Sequence, residues 1–151
     1  MYDGDASDTA STGSTGSGVV EDVFVDFFES IGRETEPTAF DGRSDYDAFV
    51  AAGVPAGGLF TGAEDIKTAE QAAKWGGTAG LAFDPCYHSA CDTYANVSAS
   101  ALGMIALDEM TDAIAHALLT FAMTSSAVQG TDKANDNATY DPTFQGAQAV
   151  K

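Results

Sequence analysis

The sequence predicts an α/β protein, and more narrowly one piece of a larger α/β domain. Three observations carry this. Apolar residues recur at helical spacing early in the chain and again after residue 100. Between them lie short apolar runs bounded by glycine, which read as buried strands. The resulting order of helix, strand, helix, strand and then helices is that of layers packed on a sheet. Only two or three short strands are legible, fewer than a covered parallel sheet needs, so the rest of the sheet is expected outside this chain.

The elements follow in order. Residues 6 to 18 are small, polar and glycine-rich, and read as a loop. Val19, Val20, Val23, Phe24, Phe27, Phe28 and Ile31 then repeat at helical spacing with Glu21, Asp22, Asp26 and Glu29 between them, and Gly32 supplies a stop. A short extended piece is expected around Glu34 to Phe40. Ser44 stands where a helix N-cap should be, before Tyr46, Phe49 and Val50, with Gly53 at the end. Val54 to Phe60 reads as a buried strand and Thr68 to Trp75 as a short helix. The longest helix is expected from Ser100 to Met123, with Leu107, Met110, Ile114, Leu118 and Phe121 as its apolar stripe. The domain portion is placed at 1–124 and a polar tail or linker at 125–151.

Composition narrows the function classes. The 151 residues hold 23 acidic and six basic side chains, a net charge of −17. Such a surface repels phosphate backbones and anionic lipid, so neither a nucleic acid nor a membrane is an expected partner. No run approaches the roughly 18 apolar residues of a membrane span. The bland reading of the charge is a well-solvated exterior, and adaptation to high salt is the sharper one. Two cysteines, Cys86 and Cys91, stand with four residues between them, which favours a disulfide and hence an exported, extracellular protein.

The segment that best carries chemistry is Asp84-Pro85-Cys86-Tyr87-His88-Ser89-Ala90-Cys91-Asp92. A histidine inside a loop closed at both ends has a fixed aim, as a metal ligand or catalytic base requires. Three other readings stand beside it: a structural disulfide with a bystander histidine, a zinc knuckle, and a thiol nucleophile paired with His88. The Asp41-Gly42-Arg43-Ser44-Asp45 turn can present backbone groups to a ligand, or simply cap a helix. Gly57 and Gly58 permit close backbone approach ahead of Phe60, which could wall a pocket. Asp41, Asp45 and Asp47, like Asp3, Asp5 and Asp8, fall short of a full calcium-loop pattern. His116, among alanines in the long helix, reads as a packed or surface residue.

Taken together and in this order, DGRSD (41–45), GVPAGGLFTGAE (53–64), KWGGTAG (74–80) and DPCYHSACD (84–92) resemble the bacterial secreted two-zinc aminopeptidases of the leucine-aminopeptidase type. The resemblance implies the C-terminal part of a three-layer α/β/α zinc-exopeptidase domain acting on a peptide substrate. It assigns His88 as a zinc ligand and Tyr87 as a phenol that stabilises the tetrahedral intermediate. Cys86 and Cys91 match the family disulfide. Phe60, with Gly42 and Cys86, falls in the pocket for the first side chain, and Arg43 falls where a backbone carbonyl meets the free amine. Asp108 and Asp112 resemble half of a structural calcium site.

The family's remaining zinc ligands are a His-x-Asp pair, an adjacent Glu-Glu pair and a further aspartate. This chain has no histidine before His88 and no Glu-Glu. The expectation is therefore a part of a two-zinc aminopeptidase, inactive without the N-terminal part of the domain. The alternative is a non-catalytic remnant or binding module that kept the pocket motifs. Tyr46-Asp47 also departs from many relatives, which carry His and Ala or Pro there.

Overall fold

The computed structural model describes residues 1–10, 13–123 and 128; the tail expected at 125–151 lies outside these, apart from Val128. Five helices follow one another: α1 (Ser17–Ser30), α2 (Asp47–Ala51), α3 (Ala69–Trp75), α4 (Tyr94–Ser98) and α5 (Ala101–Met123).

Helix α1 forms where the valine and phenylalanine periodicity predicts it. It ends in a Schellman arrangement, with Arg33 N–H donating to the Phe28 carbonyl at 2.8 Å and Gly32 N–H to Glu29 at 2.9 Å. Gly32 supplies the positive φ of 71° that this ending requires. Helix α3 begins with a full capping box, in which Thr68 and Gln71 satisfy each other's backbone N–H groups. Ser44 does not cap α2. Tyr46 occupies the N-cap position without a side-chain bond, and Ser44 instead accepts Asp47 N–H through its carbonyl. Helix α4 was not anticipated; Thr93 caps it by accepting from Asn96 N–H.

The core lies between α1 and α5. Phe24 and Phe28 meet Ala113 and Ala117, with Met1 beneath and Val20, Leu59, Met110 and Phe121 packed around them. The face of α5 that is buried is therefore Met110, Ala113, Ala117 and Phe121, one notch round from the stripe read in the sequence. Small alanines let the two helices approach closely, while Leu107, Ile114 and Leu118 face outward, Leu118 being 71% exposed. A salt bridge from Arg33 to Glu109, at 2.5 Å, clips the end of α1 to α5.

Among the described residues the expected strands do not form ladders. What remains is a set of single pairings: Tyr2 bridges Thr38 in parallel, and Ile66 bridges Ala82 in antiparallel sense. Tyr2 N–H donates to Gly58 at 3.1 Å, and Asp3 N–H to Thr38 at 2.9 Å. The first three residues thus run between the 36–40 and 56–60 segments as the rudiment of a sheet. Each segment has at most a few hydrogen-bonded neighbours, too few for a regular strand.

Candidate active site

Three turns and a hairpin build the site. The 63–67 and 80–84 segments run antiparallel, tied by Lys67 N–H to Leu81 (2.9 Å), Gly80 N–H to Lys67 (2.8 Å) and Phe83 N–H to Asp65 (3.0 Å). At its open end Asp84 N–H donates to the Ala63 carbonyl at 2.7 Å. Ala63 is 3% exposed and has a φ of 41°, a left-handed conformation that its surroundings impose. Gly62 beside it has a φ of 98° and lies under the Phe83 ring.

The cysteine loop grows from that anchor. Asp84 accepts Cys86 N–H at 2.8 Å through its carboxylate and Tyr87 N–H at 3.2 Å through its carbonyl. Cys86 and Cys91 form a disulfide, and Ser89 N–H donates across the ring to the Cys86 carbonyl at 2.9 Å. His88 sits at the crown with a φ of 53°. A left-handed histidine costs about 1–2 kcal/mol, and the covalent ring holds it there. His88 is exposed, whereas Tyr87 is half-buried, and their rings lie 4.0 Å apart between centroids.

The Asp41–Asp45 turn is built around Tyr46. Its phenol oxygen accepts the N–H groups of Asp41 and Gly42, each at 2.9 Å, and donates to the Asp41 carboxylate. Arg43 N–H and the Tyr46 hydroxyl hold the Asp41 carboxyl below its usual value. The Gly42 φ of 80° is what allows the chain to reverse there. The unusual Tyr46 thus does the work of closing this turn. Phe40 and Tyr2 meet it edge to face.

Arg43 leaves the turn and pairs through its guanidinium with the Glu64 carboxylate, 21 residues away. The Glu64 carboxyl is held low by its own backbone N–H and by Arg43, with a smaller pull from His88. Arg43 in turn is raised by Glu64, then Asp41, with a small contribution from Tyr87. Arg43 thus interacts with Glu64, Asp41 and Tyr87, and Glu64 with His88. The fourth motif joins through Lys67, whose ammonium donates to the Gly76 carbonyl at 3.0 Å. Trp75 is a packing residue, donating to the Glu34 carbonyl at 2.8 Å and lying 6.0 Å from Phe83.

The site residues named from sequence thus divide. Gly42, Arg43, Cys86, Tyr87 and His88 are gathered on turns tied to one hub at Ala63–Glu64. Phe60 is half-buried on the run leading into that hub. Asp108 and Asp112 are exposed on α5, which packs on α1 and α4. Among the described residues no third acidic donor joins them. The carboxylates that do converge are Asp3, Asp5 and Glu21, whose oxygens lie within 4.8 Å of one another. Asp3 is fully buried; burial pushes its carboxyl up, but hydrogen bonds from Thr9, Asp8 and Ser7 hold it lower. Asp8 thus serves that turn through its backbone, and Glu21 takes the third acidic place. Sequence reading missed both Glu64 and Glu21 because each meets its partner only across a fold contact.

An imidazole aimed by a closed loop suits one zinc-ligand position, and the ring nitrogens of His88 make no hydrogen bond among the described residues. Among the described residues no pair of further His, Cys, Asp or Glu donors joins it there. These residues supply one corner of a metal site rather than a whole one.

The family model of peptidase family M28 matches residues 1–116, and the chain belongs to that family. It is 52% identical over 102 residues to an aminopeptidase of Pseudomonas aeruginosa, covering 68% of this chain and 19% of that protein. It is 48% identical over 122 residues to leucine aminopeptidase 2 of Trichophyton rubrum, covering 81% of this chain and 24% of the relative. A probable leucine aminopeptidase 2 of Aspergillus oryzae is 50% identical over 98 residues, 65% of this chain and 20% of the relative. The chain spans between about a fifth and a quarter of the length of these curated relatives.

Proposed function

We propose that this chain is the C-terminal part of a secreted, zinc-dependent aminopeptidase that removes N-terminal residues, apolar ones preferentially, from peptides. The observation that supports it most is the meeting of three of the four sequence motifs at Ala63–Glu64, with the fourth tied at Lys67, which sets the Tyr87–His88 loop beside the Arg43 turn. The names of the relatives, all aminopeptidases, support the same reading. The disulfide fits an oxidising compartment. The rest of a three-layer α/β/α domain would complete the rudimentary sheet and supply the other ligands of a two-zinc site.

In this reading His88 holds zinc, which when bound polarises the scissile carbonyl and lowers the pKa of a water. The chain's own residues do the rest. The Tyr87 hydroxyl donates a hydrogen bond to the oxygen on which negative charge develops. The backbone carbonyl of Arg43 accepts from the substrate's ammonium group and fixes its end. Phe60, Gly42 and Cys86 line the pocket for the first side chain, where an aromatic wall favours apolar residues.

A chimera tests this: residues of this chain replace the matched segment of the Pseudomonas aeruginosa aminopeptidase. Chelator-sensitive cleavage of an aminoacyl chromogenic substrate is expected, with loss of more than about 100-fold on His88→Ala. A folded chimera that is inactive, or one in which His88→Ala turns over normally, sinks the proposal and favours a non-catalytic pocket remnant.

A further inference from the structure

Glu64 belongs to none of the roles assigned above, yet two ties cross at its position. The carbonyl of Ala63 anchors Asp84, from which the Tyr87–His88 loop springs. One residue on, the Glu64 carboxylate takes the Arg43 guanidinium. Arg43 has a nearer carboxylate in sequence, Asp41, but stands 3.9 Å from it. Tyr46 and Arg43 N–H both bind the Asp41 Oδ1, so that oxygen serves the turn itself. The guanidinium therefore reaches across to the hub instead.

Both partners are about half exposed, so the pair adds little to global stability. Its effect is geometric. The Arg43 turn contains no buried residue and meets the hub through this one ionic contact among the described ion pairs and hydrogen bonds. Without it, the turn pivots on Tyr46 alone, and the distance between the Arg43 carbonyl and the Tyr87–His88 loop is no longer set.

We infer that Glu64 is a positioning residue of the peptidase site, holding the Arg43 turn at a fixed place relative to the Tyr87–His88 loop. This rests on the function proposed above. It predicts that loss of the Glu64 charge weakens the hold on the substrate's amino end while leaving the chemistry alone. Glu64→Gln should raise KM about fivefold, the effect of about 1 kcal/mol, with kcat changed less than twofold. The exchanged pair, Glu64→Arg with Arg43→Glu, should bring KM back towards the starting value, because the backbone carbonyl of residue 43 is retained.

Kinetics of the chimera are measured beside amide NMR spectra of the full 151-residue chain. In the latter, Glu64→Gln should displace the cross-peaks of Gly42, Arg43, Tyr87 and His88, and the exchanged pair should return them. A KM untouched by Glu64→Gln, a kcat that falls with KM constant, or an exchanged pair that restores neither readout overturns the inference. An inactive unsubstituted chimera overturns the peptidase reading instead. The NMR arm then still decides whether Glu64 ties the two turns, and unmoved cross-peaks would show that it does not.

Discussion

The α1–α5 pair and the loops between Asp41 and Asp92 are stabilised in opposite ways. The helices bury Phe24, Phe28, Ala113 and Ala117 against one another, a non-directional attraction proportional to area. From Asp41 to Ser100 the sole buried residue is Ala63. That region is held by points: a disulfide, the ion pairs of Arg43 and Lys74, the anchoring carbonyl of Ala63 and a series of turn hydrogen bonds. Area gives stability, whereas point ties give direction at small energetic gain. A site that must aim a histidine and a backbone carbonyl draws on the second kind, and its mass of packing has to come from elsewhere.

The comparison predicts that damage to the two regions separates. The largest effect should come from Phe28→Ala, which removes a buried ring at the centre of the helix pair. A loss of about 3–5 kcal/mol is expected in urea unfolding followed by circular dichroism. A variant as stable as the parent would mean that the helices do not carry the fold.

Next is Gly62→Ala in the hub. A methyl there would sit 2.4 Å from the Phe83 ring at a φ of 98°. Strain and overpacking together should cost about 3 kcal/mol, felt first as faster hydrogen exchange at Phe83 and Asp84. Equal acceleration in α1 would break the division between the regions.

Replacing both Cys86 and Cys91 by Ser opens a short ring worth about 2 kcal/mol in chain entropy. Exchange at Ser89 N–H should quicken while the α5 amides keep their protection. Wild-type protection at Ser89 would show that the hydrogen bonds alone hold the loop.

Tyr2 joins the two regions, stacking on Phe40 and meeting Tyr46 edge to face while its N–H reaches Gly58. Burial, then the neighbouring Tyr46 and Asp41, push its phenol from 10.0 up to about 12. The fold therefore favours the neutral ring. That contribution is complete below pH 10 and is lost as pH rises through about 12. Absorbance at the tyrosinate band, compared with Tyr2→Phe, checks this; a Tyr2 that ionises near 10 contradicts it.

The smallest effect is Arg33→Ala, which removes an exposed clip between α1 and α5. A change of about 0.2–1 kcal/mol, shrinking in high salt, is expected from denaturant midpoints. A salt-insensitive loss would point to packing by the arginine stem instead.

Much of this was legible beforehand. The periodicity of Val20, Phe24 and Phe28, the Thr68–Gln71 capping box and the stop at Gly32 are local signals, and each of the four expected helices formed within a few residues of its place, whereas α4 gave no such signal. The spacing of Cys86 and Cys91 favoured a disulfide over a zinc knuckle or a free thiol, and the structure holds the disulfide. The α5 stripe was misread because periodicity weighs side chains by hydrophobicity. Close helix contact selects by size, and it turned Ala113 and Ala117 inward rather than Leu118. Ser44 was misplaced as a cap because Tyr46 reaches back to the turn from within the helix start.

By itself, then, the sequence determined four of the helical segments and which residues carry the peptidase motifs, and it favoured the cysteine pairing, since each depends on neighbours within a few residues. The tertiary structure alone decided that Arg43 meets Glu64, that Ala63 is the anchor of the His88 loop and which face of α5 is buried. Those depend on side chains tens of residues apart arriving at one place, and no local preference encodes a distance in space.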